Sequence, residues 1–119
     1  MDKITRETLT PAFILELFKK HGMKPMAGQL MPQQLIGMGS FGCCGMGVVA
    51  LELGAGDCKT VYETRKIIEE AFGVDFVDDF ECGFDDAMAD EQQGEPYHAT
   101  EGYTKGWLCG QVAAELLKD

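Results

Sequence analysis

No lysine or arginine stands between Lys66 and Lys105. Over the same span Glu69, Glu70, Asp75, Asp78, Asp79, Glu81, Asp85, Asp86, Asp90, Glu91, Glu95 and Glu101 supply twelve negative charges, so a formal net charge of −10 leaves the rest of the chain slightly positive. The acidity is therefore local. Such a field disfavours direct binding to nucleic acid or to an anionic membrane. It suits either a solvated face that keeps a small protein soluble or a surface for a protein with a basic patch.

Other absences narrow the chemistry. Serine occurs once, at Ser40, and Met38 occupies the place where a G-x-S-x-G nucleophile elbow needs glycine. The five cysteines, Cys43, Cys44, Cys58, Cys82 and Cys109, contain no C-x-x-C. An odd number with an adjacent pair does not resemble a disulfide framework, and reduced thiols fit better. On a helix Cys43 and Cys44 would point about 100° apart, which hinders a shared metal. Glu95-Pro96-Tyr97-His98 has the E-x-x-H spacing of carboxylate-bridged di-iron sites, but those need two such motifs and only one is present. His98 then reads as a hydrogen-bonding group at a helix start. The acids from Asp75 to Asp86 miss the calcium-loop pattern, because Gly83 falls at the fifth position counted from Asp79 and Val77 at the third counted from Asp75. Residues 1–12 show no apolar run after a basic start, and no stretch reaches the about 20 apolar residues of a membrane span. The expectation is a cytoplasmic protein with no membrane partner and no cofactor.

What is present is glycine and short apolar runs. Gly37 to Gly56, GMGSFGCCGMGVVALELGAG, is almost uncharged, and from Phe41 to Leu53 only Glu52 ionises besides the cysteines. A helix there is apolar nearly all round, as a buried element is. Gly37, Gly39 and Gly42 also form G-x-G-x-x-G, with Glu63 beyond them at about the distance of a ribose-binding acid. However, Met31-Pro32-Gln33-Gln34 is no buried strand, and Thr60-Val61-Tyr62-Glu63 is a capping box that starts a helix. Nucleotide binding is thus the weaker alternative.

Before the central stretch, Thr10-Pro11 opens a helix running to about His21, with Phe13, Ile14, Leu17 and Phe18 on one side and Gly22 as its stop. Met23, Met26, Met31 and Met38 then sit in an ordered connection laid over the core, as gap-fillers rather than an adaptable binding surface. After it, a helix from Val61 to Phe72 turns Val61, Ile68, Ala71 and Phe72 inward and stops at Gly73. Asp75 is placed to cap a further helix carrying Phe76, Val77, Phe80, Phe84 and Met88, which Gly83 can interrupt. A polar loop over 89–95 leads to a last helix, with Pro96 in its first turn. Gly102, Gly106 and Gly110 stand four apart in the apolar face of that helix. Each costs about 1 kcal/mol relative to alanine, so close approach of another helix must offset them, and the central helix is the obvious partner.

These features predict one all-α domain over 1–119, of four to six helices, with a buried Gly/Ala-rich central helix packed on the glycine-striped C-terminal helix. No motif marks an enzyme. The leading expectation is a small acidic interaction or regulatory module that binds a basic protein surface through Asp78, Asp79, Asp85 and Asp86, with Phe84 as an anchoring aromatic and homodimerisation as a further expectation. The alternative is a thiol-redox or metal-binding protein using Cys43, Cys44, Cys58, Cys109 and His98. Far-UV circular dichroism should show mostly helix; strand content near about one quarter, as in mixed folds, would instead favour the nucleotide-binding reading.

Overall fold

The computed structural model describes residues 4–26, 30, 33–34, 41–57, 59–89 and 100–116. Five α-helices make up most of it: α1 (Pro11–His21), α2 (Gly45–Glu52), α3 (Val61–Phe72), α4 (Val74–Ala89) and α5 (Glu101–Glu115). The chain is the compact all-α fold its periodicity predicts. One addition is a small sheet of β1 (Met23–Pro25), β2 (Gln33–Gln34) and β3 (Phe41–Cys43), in the order β1-β3-β2. β3 runs parallel to β1 and antiparallel to β2.

Most helix ends follow their sequence signals, although α4 begins at Val74 and so includes Asp75, its expected cap. Thr10 Oγ1 accepts from the Phe13 N–H at 3.2 Å, Pro11 follows, and Gly22 closes α1 in the left-handed region at φ 65°. Thr60 Oγ1 accepts from the Glu63 N–H at 3.1 Å, while the Glu63 carboxylate reaches one residue further back than a standard capping box, to the Lys59 N–H at 3.3 Å. α5 starts later than expected: Thr100 caps it by accepting from the Tyr103 N–H at 3.3 Å. Glu95, Pro96 and the polar loop lie outside the described residues.

Two boundaries differ from expectation for identifiable reasons. Phe41–Cys43, within the central stretch, are strand, because β1 and β2 take up the backbone groups on either side of β3. A Cβ on Gly42 would sit 2.9 Å from the Lys24 carbonyl oxygen, so the strand needs glycine there. Cys44 then caps α2, its sulfur accepting from the Gly47 N–H at 3.4 Å. Everything from Gly42 to Ala50 is buried, as an all-round apolar segment should be. The second difference is Gly83, which continues α4 instead of breaking it. In α3, Ile68 and Phe72 are buried, but Val61 and Ala71 are exposed and the inward polar residue is Thr64, whose hydroxyl donates to the Thr60 carbonyl at 3.2 Å.

The glycine stripe of α5 packs closely on a helix, but that helix is α4. A Cβ on Gly102 would lie 2.9 Å from the Phe76 carbonyl oxygen, and one on Gly110 2.6 Å from that of Phe84. At Gly106 the Phe80 carbonyl is closer still, and Gly83 in return meets the Tyr103 carbonyl and the Trp107 amide nitrogen. Carbonyls four apart on α4 thus seat on glycines four apart on α5. α2, the expected partner, touches α5 only slightly because its own small residues serve other neighbours: Gly45 lies against the rings of Phe80 and Phe84, and Gly47 against the Leu30 carbonyl.

The side chains of the same phenylalanines point into the core. Phe72 and Phe76, Phe76 and Phe80, and Phe80 and Phe84 have centroids 6.0, 6.2 and 6.5 Å apart, and Phe18 of α1 continues the row 6.3 Å from Phe84. Each fully buried ring contributes about 1.5–3 kcal/mol of transfer free energy. Arg6 fastens the N-terminal segment to this assembly. Its Nε donates to the Phe72 carbonyl at 3.1 Å, its guanidinium lies 4.7 Å from the Phe76 ring centroid, and its own carbonyl accepts from Lys105 Nζ.

Gly106→Ala should therefore cost about 3 kcal/mol or more, at the upper end of overpacking penalties, because the obstructing atoms are backbone and cannot rotate away. Gly56→Ala, where an added Cβ meets nothing within 4 Å, should change stability by no more than about 0.5 kcal/mol. Urea unfolding measures both, and equal costs would show that α4 and α5 do not pack through the stripe.

Candidate functional site

At about 100° per residue, Asp75, Asp78, Asp79, Glu81, Cys82, Asp85 and Asp86 share one side of α4, opposite Val77, Phe80 and Phe84. The carboxylates thus form a continuous stripe along the helix. Its two margins are tied into the fold and its middle is open. On one margin Arg65 of α3 reaches across, with Nη2 2.7 Å from Glu81 Oε2 and Nη1 3.2 Å from Asp78 Oδ1 and 3.6 Å from Glu69 Oε2. On the other, the Tyr103 hydroxyl of α5 donates to Asp86 Oδ2 at 2.5 Å, and Asp79 packs over Gly102. Asp75 and Cys82 face solvent between them.

Phe84 is no part of that surface. It is 0% exposed, as is Phe80, and Phe76 is 4% exposed. The expectation of an aromatic anchor fails because carboxylates and phenylalanines that alternate in the sequence separate to opposite sides of one helix. Glu81 is half-buried. Among the described residues its Oε1 has no hydrogen-bond partner, and burial pushes its carboxyl above the ordinary range even though Arg65 pulls the other way.

Cys82 is the exposed thiol of the stripe. Burial first, then the carboxylates of Asp86, Asp85, Asp78 and Asp79, push it up from its ordinary value. The other described cysteines are free thiols inside the protein. Burial raises Cys43 and Cys109 to about 12 and raises Cys44 as well, with Glu81 and Asp85 adding to the shift. Their thiolates are strongly disfavoured at neutral pH, so as nucleophiles or metal ligands they start from an adverse protonation state. Cys109 Sγ donates weakly to the Leu9 carbonyl at 3.9 Å. Among the described residues, no group of three or more His, Cys, Asp and Glu side chains is placed to hold a metal ion. Cys58 and His98 lie outside the described residues, as do Gly37 and Gly39. Gly42 is buried in β3 against Met26, and Glu63 is engaged at the start of α3.

Arg65 and Tyr103 are the residues that sequence reading missed. Arg65 lies one position before Lys66, which bounds the base-free interval, and its spacing to Glu69 at i+4 was the available local signal. Its bonds to Asp78 and Glu81 depend on the turn at Gly73 that folds α4 back on α3. That one-residue connection adopts φ 93°, a backbone conformation glycine tolerates. Among the described residues, no helix is long and apolar enough to cross a membrane. Compared with protein-family models, curated proteins and solved structures, the chain matches nothing.

Two measurements probe the stripe. In a Cys58→Ser background, a cationic methanethiosulfonate should modify Cys82 about tenfold or more faster than an anionic one, after normalisation to free cysteine, since surface potentials of several kT are at work. The ratio should narrow in high salt; a ratio near one would mean that the carboxylates do not set the field at Cys82. The second concerns Glu81. A carboxyl whose native pKa is raised favours the folded state when protonated, and that contribution is lost as pH rises through the native value. The stability of the wild-type protein relative to Glu81→Gln should therefore increase as pH falls from neutral toward the ordinary glutamate range. Urea unfolding at several pH values checks the sign.

Proposed function

We propose that the protein is a small interaction module whose acidic α4 face docks a basic surface of another protein. The observation that carries the reading is the arrangement of the α4 carboxylates on one side of a helix, with Arg65, which pairs with Asp78 and Glu81, confined to one margin. Recognition is electrostatic in this reading. With Phe76, Phe80 and Phe84 committed to the core, the face offers charge without an aromatic anchor, which favours fast, salt-sensitive association over slow release. Two copies cannot pair through the same face, since identical acidic stripes repel. Nothing around Cys43, Cys44 or Cys109 favours the thiol or metal alternative.

The double variant Asp75→Lys/Cys82→Lys places two positive charges in the open middle of the stripe and leaves the Arg65 and Tyr103 contacts in place. Affinity capture from native extract, quantified by mass spectrometry at low and physiological salt, should show partners of wild type that are lost with the variant and weakened by salt. The gain of salt sensitivity follows from screening over about 8 Å at 0.15 M. If the variant retains the same partners, or wild type retains none at either salt concentration, the stripe only solubilises the protein.

A further inference from the structure

The end of the molecule built by α1 carries the opposite charge character. There a recess of about 310 Å³ is lined by Phe18, Lys19, Gly22, Met23, Lys24 and Leu116. It belongs to no part of the acidic stripe. Three elements form it: the last turn of α1, the start of β1 beyond the left-handed Gly22, and the residue that ends α5. Its size is near the lower limit of small-molecule sites.

We infer that this recess binds a small amphipathic carboxylate, with its apolar body against Phe18, Met23 and Leu116 and its carboxylate between Lys19 and Lys24. The lining is divided in that way: three apolar side chains make the walls, and two lysines supply the polar groups. Lys19 and Lys24 have no ion-pair partner among the described residues, whereas Lys20 and His21 beside them are both occupied by Glu52, with Lys20 Nζ 2.9 Å from Oε2 and His21 Nε2 2.9 Å from Oε1. Glu52 is thus already engaged and does not compete for Lys19 or Lys24. The carbonyls at the C-terminal end of α1 repel negative charge, and the Gly22 N–H is turned back onto the carbonyls of Phe18 and Lys19. An anion is therefore held at the mouth by the lysines, and the interior takes the uncharged part. A bare anion would leave the apolar walls wet, and an amine would meet two like charges.

Octanoate is the probe, followed by NMR of the methionine and leucine methyl groups of the wild-type protein. It should give saturable shifts at Met23 and Leu116 in the millimolar range or below, as a ligand of about ten non-hydrogen atoms can reach. Octylamine, with the same chain and the opposite charge, and acetate, with the same head and no chain, should each bind at least about tenfold more weakly. Lys19→Gln/Lys24→Gln should remove the preference for octanoate over octylamine while leaving the circular dichroism spectrum unchanged. Should that variant fail to fold, the three probes on wild type decide alone. Equal binding of octanoate and octylamine, equal binding of octanoate and acetate, or no saturable shift at Met23 and Leu116 would overturn the assignment.

Discussion

The contact on which the rest of the structure depends is the seating of the Phe76, Phe80 and Phe84 carbonyls on Gly102, Gly106 and Gly110. Glycine in a helix interior is unfavourable by about 1 kcal/mol, so three of them in α5 are tolerable only where removing the side chain opens a better contact. Here it brings two helix backbones together, close enough for Cα–H groups to meet carbonyl oxygens, each such contact worth about 0.5–1 kcal/mol. Gly83 repeats the arrangement in the other direction. Because the repeat is four residues on both helices, a slip by one residue would place side chains where no space exists. The stripe fixes register as well as distance.

That fixed register assigns three roles to α4. One side gives its backbone to α5. A second sends the phenylalanine rings into the core, where they meet Phe18 of α1 and the buried face of α2. The third is left to the carboxylates. The sorting explains why the acids accumulate without breaking the fold: no carboxylate is forced among the rings, and half-buried Glu81 is met by Arg65. It also explains why a search for an aromatic anchor within this segment fails, since each ring is already required by the interior.

Helices and their limits were largely legible in the sequence because their causes are local. Thr10-Pro11, Gly22, Thr60 with Glu63, and Gly73 each act within a turn of their own position. The all-round burial of the central segment was legible for the same reason, as it needs only composition. What was not legible depends on partners distant in the chain. The strand at Phe41–Cys43 exists because β1 and β2 flank it, and no property of those three residues requires a sheet. The need for close packing on the α5 glycines was readable, but its partner was not: both the central segment and α4 offer glycine, and any helix offers carbonyls in the same four-residue step. The charge census of the candidate site was readable too. Its geometry was not, because Arg65 and Tyr103 come from neighbouring helices.

The distribution of charge along α4 makes its two ends unequal. Asp75 lies in the first turn, where a carboxylate is favoured by the helix dipole, whereas Asp85 and Asp86 approach the C-terminal end and the last turn contains no basic residue. Like charges at i, i+3 and i, i+4 add repulsion of a few tenths of a kcal/mol per pair. The C-terminal half of α4 is thus electrostatically the costlier half. It is also where the non-electrostatic contacts are densest: Phe84 stacks between Phe80 and Phe18, Gly83 meets the α5 backbone, Gly110 receives the Phe84 carbonyl, and the Tyr103 hydroxyl takes up Asp86. Packing at short range offsets repulsion that is weak per pair and screened by salt, which allows the helix to keep an acidic face. A cation arriving from outside would relieve that repulsion without disturbing any of those contacts, and this is the physical basis of the proposed docking of a basic partner.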